Sequence, residues 1–432
     1  MKDQIKTIEL RAVWARVLLF VPLALVAVGV WYGVRWCIGS TMAEWSPEIN
    51  AAQAAVRLTP DDPQGHLMIA RLREKSFLPE ELPEAAREYE EAARLSPNDY
   101  RLFMELGRVR GLVGDARGGE QALRRAVELA PGYPEPRWYL GNLLLRQGRT
   151  DEAFTELRRA GEANPEKFRP QVLELSWRFY KGDIPAVSAV AGNSAAARGA
   201  LMDYLINQRR FDDARQIWKG FDARERTDMR ATGEKLLLRF LEVKRFHDML
   251  EMHRELAGVD GKPTTAARDT IVNGGFESAV GAPGKNAFEW QVVPLAGVQM
   301  GFDERVQQEG ARSLRLAFNA TGTLNFRNIS QLLTVESGTS YRIEYYVRTE
   351  DLKSATTLIV EVVDAAEPDR VLAASQPLAI GTIDWGSPVK LEFTTGAATQ
   401  AVTVRIVSQP CPATTCPIFG KVWYDNFTLK RA

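Results

Sequence analysis

A spacing of 34 residues constrains this chain more than any other feature of its sequence. Pro97, Pro131 and Pro165 recur at that interval, and an alanine lies five residues before each of them. Gly107 and Gly141 repeat with the same spacing, each directly after a leucine. Because small residues let two helices approach closely and proline ends a helix, the pattern predicts stacked helix pairs with a turn at each proline.

In its period and its small and large positions, the pattern resembles the tetratricopeptide repeat. The resemblance implies a helical solenoid over residues 44–258, with an insertion, SFLPEELPE, at 76–84 and a degenerate part after residue 166. It also implies a scaffold whose groove binds a protein partner. The side chains expected to line this groove are Arg101, Met104, Arg108, Trp138, Asn142 and Arg146. A solvated helical face is the alternative interpretation of these residues.

An uncharged apolar run, VLLFVPLALVAVGVWYGV, occupies residues 17–34. As a helix it would be roughly 27 Å long, close to the thickness of the hydrocarbon layer of a membrane. We therefore expect a transmembrane helix at 17–36 that crosses a bacterial inner membrane once. Four basic residues precede the run, and only Arg35 follows closely, so the N-terminus at 1–16 is predicted to be cytoplasmic and the later domains periplasmic. A cleaved signal peptide is the alternative.

The sequence pattern changes after residue 258. Residues 259–269 have the composition of a linker, and segments that alternate apolar and polar residues follow, which predicts β-strands. These segments are 312–318, 340–349, 356–364, 389–396 and 401–408. Short strands separated by Gly, Asp and Ser turns over residues 270–432 predict a β-sandwich. The predicted fold class is therefore multidomain: a single transmembrane helix, an α-helical solenoid of tetratricopeptide-like repeats, and an all-β jelly-roll sandwich.

The last domain carries the motifs NGGFE, Trp290, GARSLRL, ISQLLTV, VKLEFTT and WYDNFTL in an order that resembles jelly-roll carbohydrate-binding modules of the galactose-binding-like group. The resemblance implies that 273–278 and 422–431 are the first and last strands of one sandwich and are close neighbours. It implies a structural calcium held by Glu277 and Asp425, and otherwise no cofactor. The glycan contacts that it implies are Phe326, Arg327, Asn328, Gln331, Trp290 and Trp385. Two alternatives stay open: the carboxylates bind turn amides, and the sandwich docks a protein.

The sequence lacks the signatures of several classes of function. Lys and Arg total 55, as do Asp and Glu, so the chain has no basic surplus for nucleic acid. The three histidines lack the spacing of helical metal ligands, and no nucleotide-binding or hydrolase motif occurs. We predict a non-enzymatic accessory protein of the cell envelope, acting in polysaccharide assembly or export, or else a purely protein-binding scaffold. Cys411 and Cys416 form either a disulfide loop or two free thiols.

Overall fold

The computed structural model describes residues 13–45, 48–259, 261, 266–280, 284 and 286–432. Within this part, an apolar helix comes first, a helical array follows, and a β-sandwich ends the chain, which confirms the predicted fold class. The helices are α1 (Val13–Trp45), α2 (Ile49–Leu58), α3 (Pro63–Lys75), α4 (Leu82–Leu95), α5 (Tyr100–Leu112), α6 (Ala116–Leu129), α7 (Pro134–Arg146), α8 (Thr150–Ala163), α9 (Phe168–Phe179), α10 (Ile184–Ala191), α11 (Ala195–Asn207), α12 (Phe211–Lys219), α13 (Ala223–Asp228), α14 (Arg230–Glu242) and α15 (Phe246–Val259). The strands are β1 (Gln291–Val292), β2 (Val298–Asp303), β3 (Ser313–Ala320), β4 (Ile329–Thr334), β5 (Ser340–Ser354), β6 (Leu358–Asp364), β7 (Val371–Ala374), β8 (Gly381–Ile383), β9 (Val389–Thr394), β10 (Ala401–Ser408) and β11 (Ile418–Arg431).

The chain divides into two compact units, residues 1–204 and residues 205–432. The first unit holds α1 to α10 and most of α11, and the second holds α12 to α15 with all the described strands. The predicted linker at 259–269 therefore marks the change from helices to strands, whereas the second compact unit begins earlier in the chain. Most of the predicted cytoplasmic segment and part of this linker lie outside the described residues.

The long first helix joins the apolar run to the helical array. Among the described residues, the segment Phe20–Met42 is long and apolar enough to cross a membrane, and a signal sequence would pass the same test. The helix continues beyond this run to Trp45 and packs against α2 and α3. Arg35 donates a hydrogen bond to the backbone carbonyl of Leu58 at the end of α2. A cation at that position also interacts favourably with the negative end of the helix dipole, so it ties α1 to α2.

Small residues set the distance between paired helices, as the repeat predicts. A Cβ atom added to Gly107 of α5 would lie 2.5 Å from Cγ of Leu123 in α6. One added to Gly141 of α7 would lie 2.6 Å from Cγ of Leu157 in α8. Both leucines are buried, so each fills the space that the missing side chain leaves. The prolines of the repeat follow the ends of α4, α6 and α8, where they stop each second helix.

The strands form two antiparallel sheets. One sheet has the order β1-β4-β10-β6-β7, and the other has the order β2-β3-β11-β5-β8, with β9 paired to β5. The core between them contains fully buried aliphatic and aromatic side chains from both sheets, among them Leu314, Tyr341, Val362, Val404 and Tyr424. Each of the five predicted strand segments contains a strand, because the alternating pattern reflects one face buried in this core.

The two segments expected to be first and last strands do lie together, but one of them is not a strand. The backbone N–H of Phe427 in β11 donates to the carbonyl of Gly274 at 2.9 Å, which confirms that the segments are neighbours. The prediction of a strand at 273–278 is wrong. Asn273 and Phe276 have φ angles of 53° and 58°, and such left-handed residues interrupt an extended chain.

Helix α15 contacts the sandwich within the second unit through two of the three histidines. The Nε2 atom of His247 lies 3.0 Å from the carbonyl oxygen of Val335. The ring of His253 packs against Phe288, with 5.2 Å between the ring centroids. Burial lowers the pKa of His253 below its usual value, although the nearby charge of Glu289 acts in the opposite direction. These contacts give both residues a structural role.

Candidate functional site

The residues predicted to line a protein-binding groove lie on α5 and α7, the first helices of two successive pairs, which contact each other. Their side chains differ in exposure along these helices. Arg101 and Arg146 are exposed, whereas Met104, Arg108, Trp138 and Asn142 are half-buried. The structure therefore brings the six residues onto neighbouring helices, where two arginines are exposed and an indole ring is partly accessible.

Arg108 is held by carboxylates from two helices. Its guanidinium lies 2.5 Å from the carboxylate of Glu74 in α3 and 2.7 Å from that of Glu105. The hydroxyl of Tyr89 in α4 donates to the same Glu74 at 3.1 Å. Burial by itself would raise the pKa of Glu74, but the hydrogen bond and charge of Arg108 bring that pKa below its usual value. A charged network of fixed geometry thus connects α3, α4 and α5.

Neighbouring contacts orient the other predicted groove residues. Trp138 packs against Phe168 of α9, with ring centroids 5.4 Å apart. The side-chain amide of Asn142 donates to the backbone carbonyl of Trp138 at 2.8 Å. Arg101 forms an ion pair of 2.8 Å with Asp99, just before α5. This face can offer an aromatic contact and arginine donors to the same bound segment.

Three of the six candidate glycan contacts are buried in the sandwich. Phe326 is 0% exposed, and Trp290 and Gln331 are 1% exposed. The amide of Gln331 is already used, because it donates to the carbonyl of Val272 at 2.8 Å and accepts from its N–H at 3.2 Å. A sugar needs an accessible ring face or free polar groups. In this structure the three side chains instead pack and cross-link the interior of the sandwich.

The other three candidates are accessible but are divided between the two sheets. Arg327 is exposed and lies 4.0 Å from Glu361, and Asn328 donates to the carbonyl of Val293 at 3.0 Å. Both precede β4 in the first sheet, whereas the half-exposed Trp385 follows β8 in the second. The six predicted residues therefore do not converge on one surface.

A cluster on the outer face of the second sheet was missed from the sequence. The guanidinium of Arg348 lies 5.2 Å from the ring centroid of Trp423, and the Nζ atom of Lys421 lies 6.0 Å from it. The indole N–H of Trp423 donates to Asp303 at 2.9 Å. Because Tyr424 belongs to the core, alternation along β11 puts Trp423 on the opposite face. That alternation was the available signal.

Glu277 and Asp425, the proposed calcium ligands, both accept hydrogen bonds from turn amides. Asp425 is 0% exposed and accepts from the N–H groups of Gln308 at 2.8 Å and Asn426 at 2.8 Å. Glu277 accepts from the N–H of Ala311 at 3.0 Å. The alternative role that the sequence left open, binding of turn amides, is therefore present.

Glu277 and Asp425 are unfavourably placed for both carboxylates to be ionised. Burial raises the pKa of Asp425, three backbone amides counteract it, and the negative charge of Glu277 raises the pKa further. Two carboxylates are ligands of the type that calcium prefers. Among the described residues, no group of three His, Cys, Asp or Glu side chains could hold a metal ion. Backbone carbonyls and water would have to complete a calcium shell.

Cys411 and Cys416 form a disulfide in the connection between β10 and β11. The backbone N–H of Cys416 also donates to the hydroxyl of Thr323 at 3.0 Å, which holds this loop against the residues that follow β3. Cys37, in α1, is an exposed free thiol.

Comparison with known proteins identifies part of the array. A family model of the tetratricopeptide repeat matches residues 113–175, from the loop before α6 into α9. Residues 113–175 therefore form part of a tetratricopeptide-repeat domain. Domains of this kind generally act as protein-interaction scaffolds, with an extended surface built from successive repeats. A search among curated proteins found no match.

Several solved structures resemble parts of the chain. TTC0263, a thermophilic repeat protein of Thermus thermophilus, is 25% identical and covers 31% of this chain and 70% of its own, with a TM-score of 0.26. MamA from Desulfovibrio magneticus RS-1 is 14% identical over 36% of this chain and 93% of its own, with a TM-score of 0.31. A structure titled CBM4 structure and function is 15% identical over 38% of this chain and 99% of its own, with a TM-score of 0.29.

Proposed function

We propose that the chain is a membrane-anchored, non-enzymatic scaffold of the bacterial cell envelope that binds a protein partner through its repeats. The observation that carries this proposal is the continuity of α1. The apolar side chains from Phe20 to Val34 are exposed, and the same helix continues into contacts with α2 and α3. A helix with an apolar surface that leads directly into an interaction domain suits a scaffold held at a membrane surface.

The partner's chemistry follows from the face formed by α5 and α7. Arg101 and Arg146 supply exposed guanidinium groups, and Trp138 supplies a partly accessible ring. An acidic segment with an apolar side chain would pair with the arginines and pack against the indole. Arg108 already interacts with two carboxylates, so its main role would be to fix the shape of this face.

Fusions at the C-terminus test the topology. Alkaline phosphatase fused after Ala432 should be active, and a green fluorescent protein at the same place should be dark, because the N-terminal charges hold the other end in the cytoplasm. Release of a shortened soluble chain would support a cleaved signal peptide. A fluorescent fusion with inactive phosphatase would contradict export altogether.

Capture of partners by the full-length chain tests the repeat face. Trp138→Ala combined with Arg101→Ala should remove a partner that the wild-type chain retains. Circular dichroism should show that the variant folds, although loss of the Trp138–Phe168 contact should lower its melting temperature. Tyr133→Ala is the matched control, because Tyr133 is 55% exposed and lies just before α7. Equal capture by all variants would show that partners bind elsewhere.

A second function, binding of a glycan by the sandwich in polysaccharide assembly or export, is favoured by the accessible planar side chains of Arg327, Asn328 and Trp385. Affinity electrophoresis of the full chain should show retardation by a polysaccharide. Arg327→Ala with Asn328→Ala, compared with Trp385→Ala, would identify which sheet binds. If no polysaccharide retards the wild-type chain, the alternative of a protein-docking sandwich is favoured.

Calcium would be held by Glu277 and Asp425 if the sandwich binds it. A cation there would offset the repulsion that raises the pKa of Asp425. At a calcium concentration about 100 times the dissociation constant, stability should rise by about 2.7 kcal/mol. Asp425→Asn should abolish the difference in melting temperature between calcium and a chelator, whereas Glu350→Gln should keep it. An unchanged melting temperature in the wild-type chain would exclude a structural calcium.

A further inference from the structure

The insertion before α4 presents an aromatic side chain to solvent. Phe77 is 92% exposed and Leu78 is 48% exposed, in a loop between α3 and α4. The N–H of Phe77 donates to the carbonyl of Glu74 at 3.2 Å, and that of Leu78 donates to the hydroxyl of Ser76 at 3.2 Å. These bonds hold the loop (residues 76–81, here called the Phe77 loop) in a defined turn.

The backbone at Phe77 has a positive φ of 56°, as do the corresponding positions after other helices of the array. The loops after α5 and α7 contain Gly114 at 88° and Gly148 at 76°, and the later loops contain Lys181 at 52°, Arg209 at 59° and Lys244 at 60°. A bulky residue with positive φ is uncommon and costs conformational energy. The side chain distinguishes Phe77, because the later loops have charged residues at this position, whereas Phe77 exposes an apolar phenyl ring to solvent.

Acidic residues follow this ring. Glu80 is exposed. Glu81 forms an ion pair with Arg73, and Glu84 lies 2.5 Å from Arg87. The Phe77 loop and the first turn of α4 therefore combine an apolar tip with three carboxylates, two of which already pair with arginines.

The array also contains a groove of opposite character, here called the α4–α6 groove. It has a volume of about 520 Å³ and is lined by Phe103, Leu106 and Ala122 on its floor and by Arg94, Arg110 and Arg125 at its rim. Each of the three arginines pairs with a glutamate: Arg110 with Glu90 at 2.7 Å, Arg94 with Glu91 at 2.6 Å and Arg125 with Glu128 at 3.2 Å. A volume of this size is within the range of ligand pockets, and it exceeds what one phenyl ring needs.

Comparison with the next repeat shows why the α4–α6 groove is open. The residues 34 positions after Phe103 and Ala122 are Arg137 and Glu156. In that repeat the two side chains form an ion pair of 2.6 Å and are 16% and 14% exposed. Replacement of this pair by phenylalanine and alanine removes polar groups and leaves an apolar floor.

We propose that the Phe77 loop of one copy docks into the α4–α6 groove of a second copy of this chain. The phenyl ring would bury against Phe103 and Leu106, and the three carboxylates beside it would face the arginine rim. Each arginine has five N–H donors, so its ion pair within the chain leaves donors for a carboxylate of the second copy. The groove and the loop are different surfaces, so the contact is heterologous. It forms a closed oligomer only if the rotation between copies is suitable, and otherwise it continues into an open chain of copies.

Self-association of the full-length chain in detergent or nanodiscs tests the proposal. Sedimentation velocity over a range of concentrations should show assembly of the wild-type chain, and Phe77→Ala should weaken it by about tenfold or more, as expected for an aromatic anchor. An unchanged melting temperature will show that the variant folds. Leu112→Ala is the matched control, because Leu112 is 55% exposed beside the corresponding loop of the next repeat. A monomeric wild-type chain, or equal assembly of Phe77→Ala, would overturn the proposal.

A charge exchange tests the pairing itself. Arg125→Glu should weaken assembly, and so should Glu80→Arg, because each places like charges together. A mixture of the two variants, or the double variant, should recover assembly, because the opposite charges are then restored. If the double variant assembles no better than either single variant, the loop does not meet the rim.

Photocrosslinking identifies the occupant. Benzoylphenylalanine at position 77, in a chain mixed with an isotope-labelled copy, should crosslink to labelled peptides of α4, α5 or α6. Crosslinks to lipid, to a different protein or to another surface of the labelled copy would each contradict docking in the α4–α6 groove.

Discussion

The helical array and the β-sandwich are both built around buried apolar cores, but their contacts have different ranges along the chain. In the array, Gly107 meets Leu123 of the next helix. In the sandwich, Trp423 of β11 pairs with Arg315 of β3 and Arg348 of β5, which are far away in sequence. Local contacts let neighbouring repeats be stable nearly independently, whereas long-range pairing makes the sheets depend on one another.

The largest effects are expected from two truncations of buried side chains, one in the sandwich and one in the array. Phe276 is fully buried against Trp290, with ring centroids 5.2 Å apart, so Phe276→Ala should cost about 3–5 kcal/mol. Hydrogen exchange should then accelerate across both sheets together. Leu123→Ala should accelerate exchange mainly in α5 to α8 and leave α2 and α3 protected. Uniform acceleration throughout the array would contradict the local character of its stability.

The next largest loss of stability is expected from breaking an ion pair in the second unit. Glu255 of α15 lies 2.6 Å from Arg215, which is 5% exposed, and it accepts from the indole of Trp218 at 2.7 Å. Glu255→Gln should cost about 3 kcal/mol in urea unfolding, because it removes the nearest counter-charge of a buried guanidinium. Glu251→Gln is the control, since Glu251 is 58% exposed and 3.6 Å from Arg215. Equal losses would mean that burial does not govern this pair.

A small addition tests the close approach of helices. Gly107→Ala should destabilise the array by about 2 kcal/mol, because the new Cβ would lie 2.5 Å from Leu123. Gly132→Ala should have little effect, as a Cβ there meets nothing within 4 Å. The melting temperature of the full chain measures both. A neutral Gly107→Ala would show that Leu123 can move aside.

The pH dependence of the second unit should follow Glu255. Burial raises its pKa, but the hydrogen bond and charge of Arg215 lower it below the ordinary value of 4.5. The unfolded chain therefore binds this proton more readily, so stability should be complete above that value and fall as the pH drops through the lower folded pKa. Urea unfolding at several acidic pH values measures this slope. Glu255→Gln should flatten it, and an unchanged slope would assign the effect to other carboxylates.

The smallest effect is expected from exposed ion pairs in both regions. Arg178 in the array is 77% exposed and pairs with Glu174, and Lys430 in the sandwich is 61% exposed and pairs with Glu344. Arg178→Ala and Lys430→Ala should leave the melting temperature unchanged within error, because water and salt screen such pairs. A clear decrease in melting temperature for only one of the two variants would show that the surface charges of that region act as a network.

The repeat and the strands could be predicted because their patterns are local. The recurrence of Gly107 and Gly141 reports a contact that every helix pair makes, and the alternation in β5 reports one buried face. The turns at 273–278 were mistaken for a strand, because the residue types of Asn273 and Phe276 do not reveal their positive φ values. The candidate glycan contacts were harder still, since an aromatic residue such as Phe326 suits a core as well as a sugar.

By itself, the sequence determined the apolar first helix, the helix pairs and the alternating strands. These depend on spacings of a few residues, or of one repeat, that the chain displays directly. Only the tertiary structure decided which side chains are available for binding. It buried Trp290 and Gln331, put Trp423 under two cations and left Phe103 at the floor of an open groove. The physical reason is that the exposure of a side chain depends on neighbours that are distant in sequence. A local sequence pattern does not show which of these neighbours will pack against it.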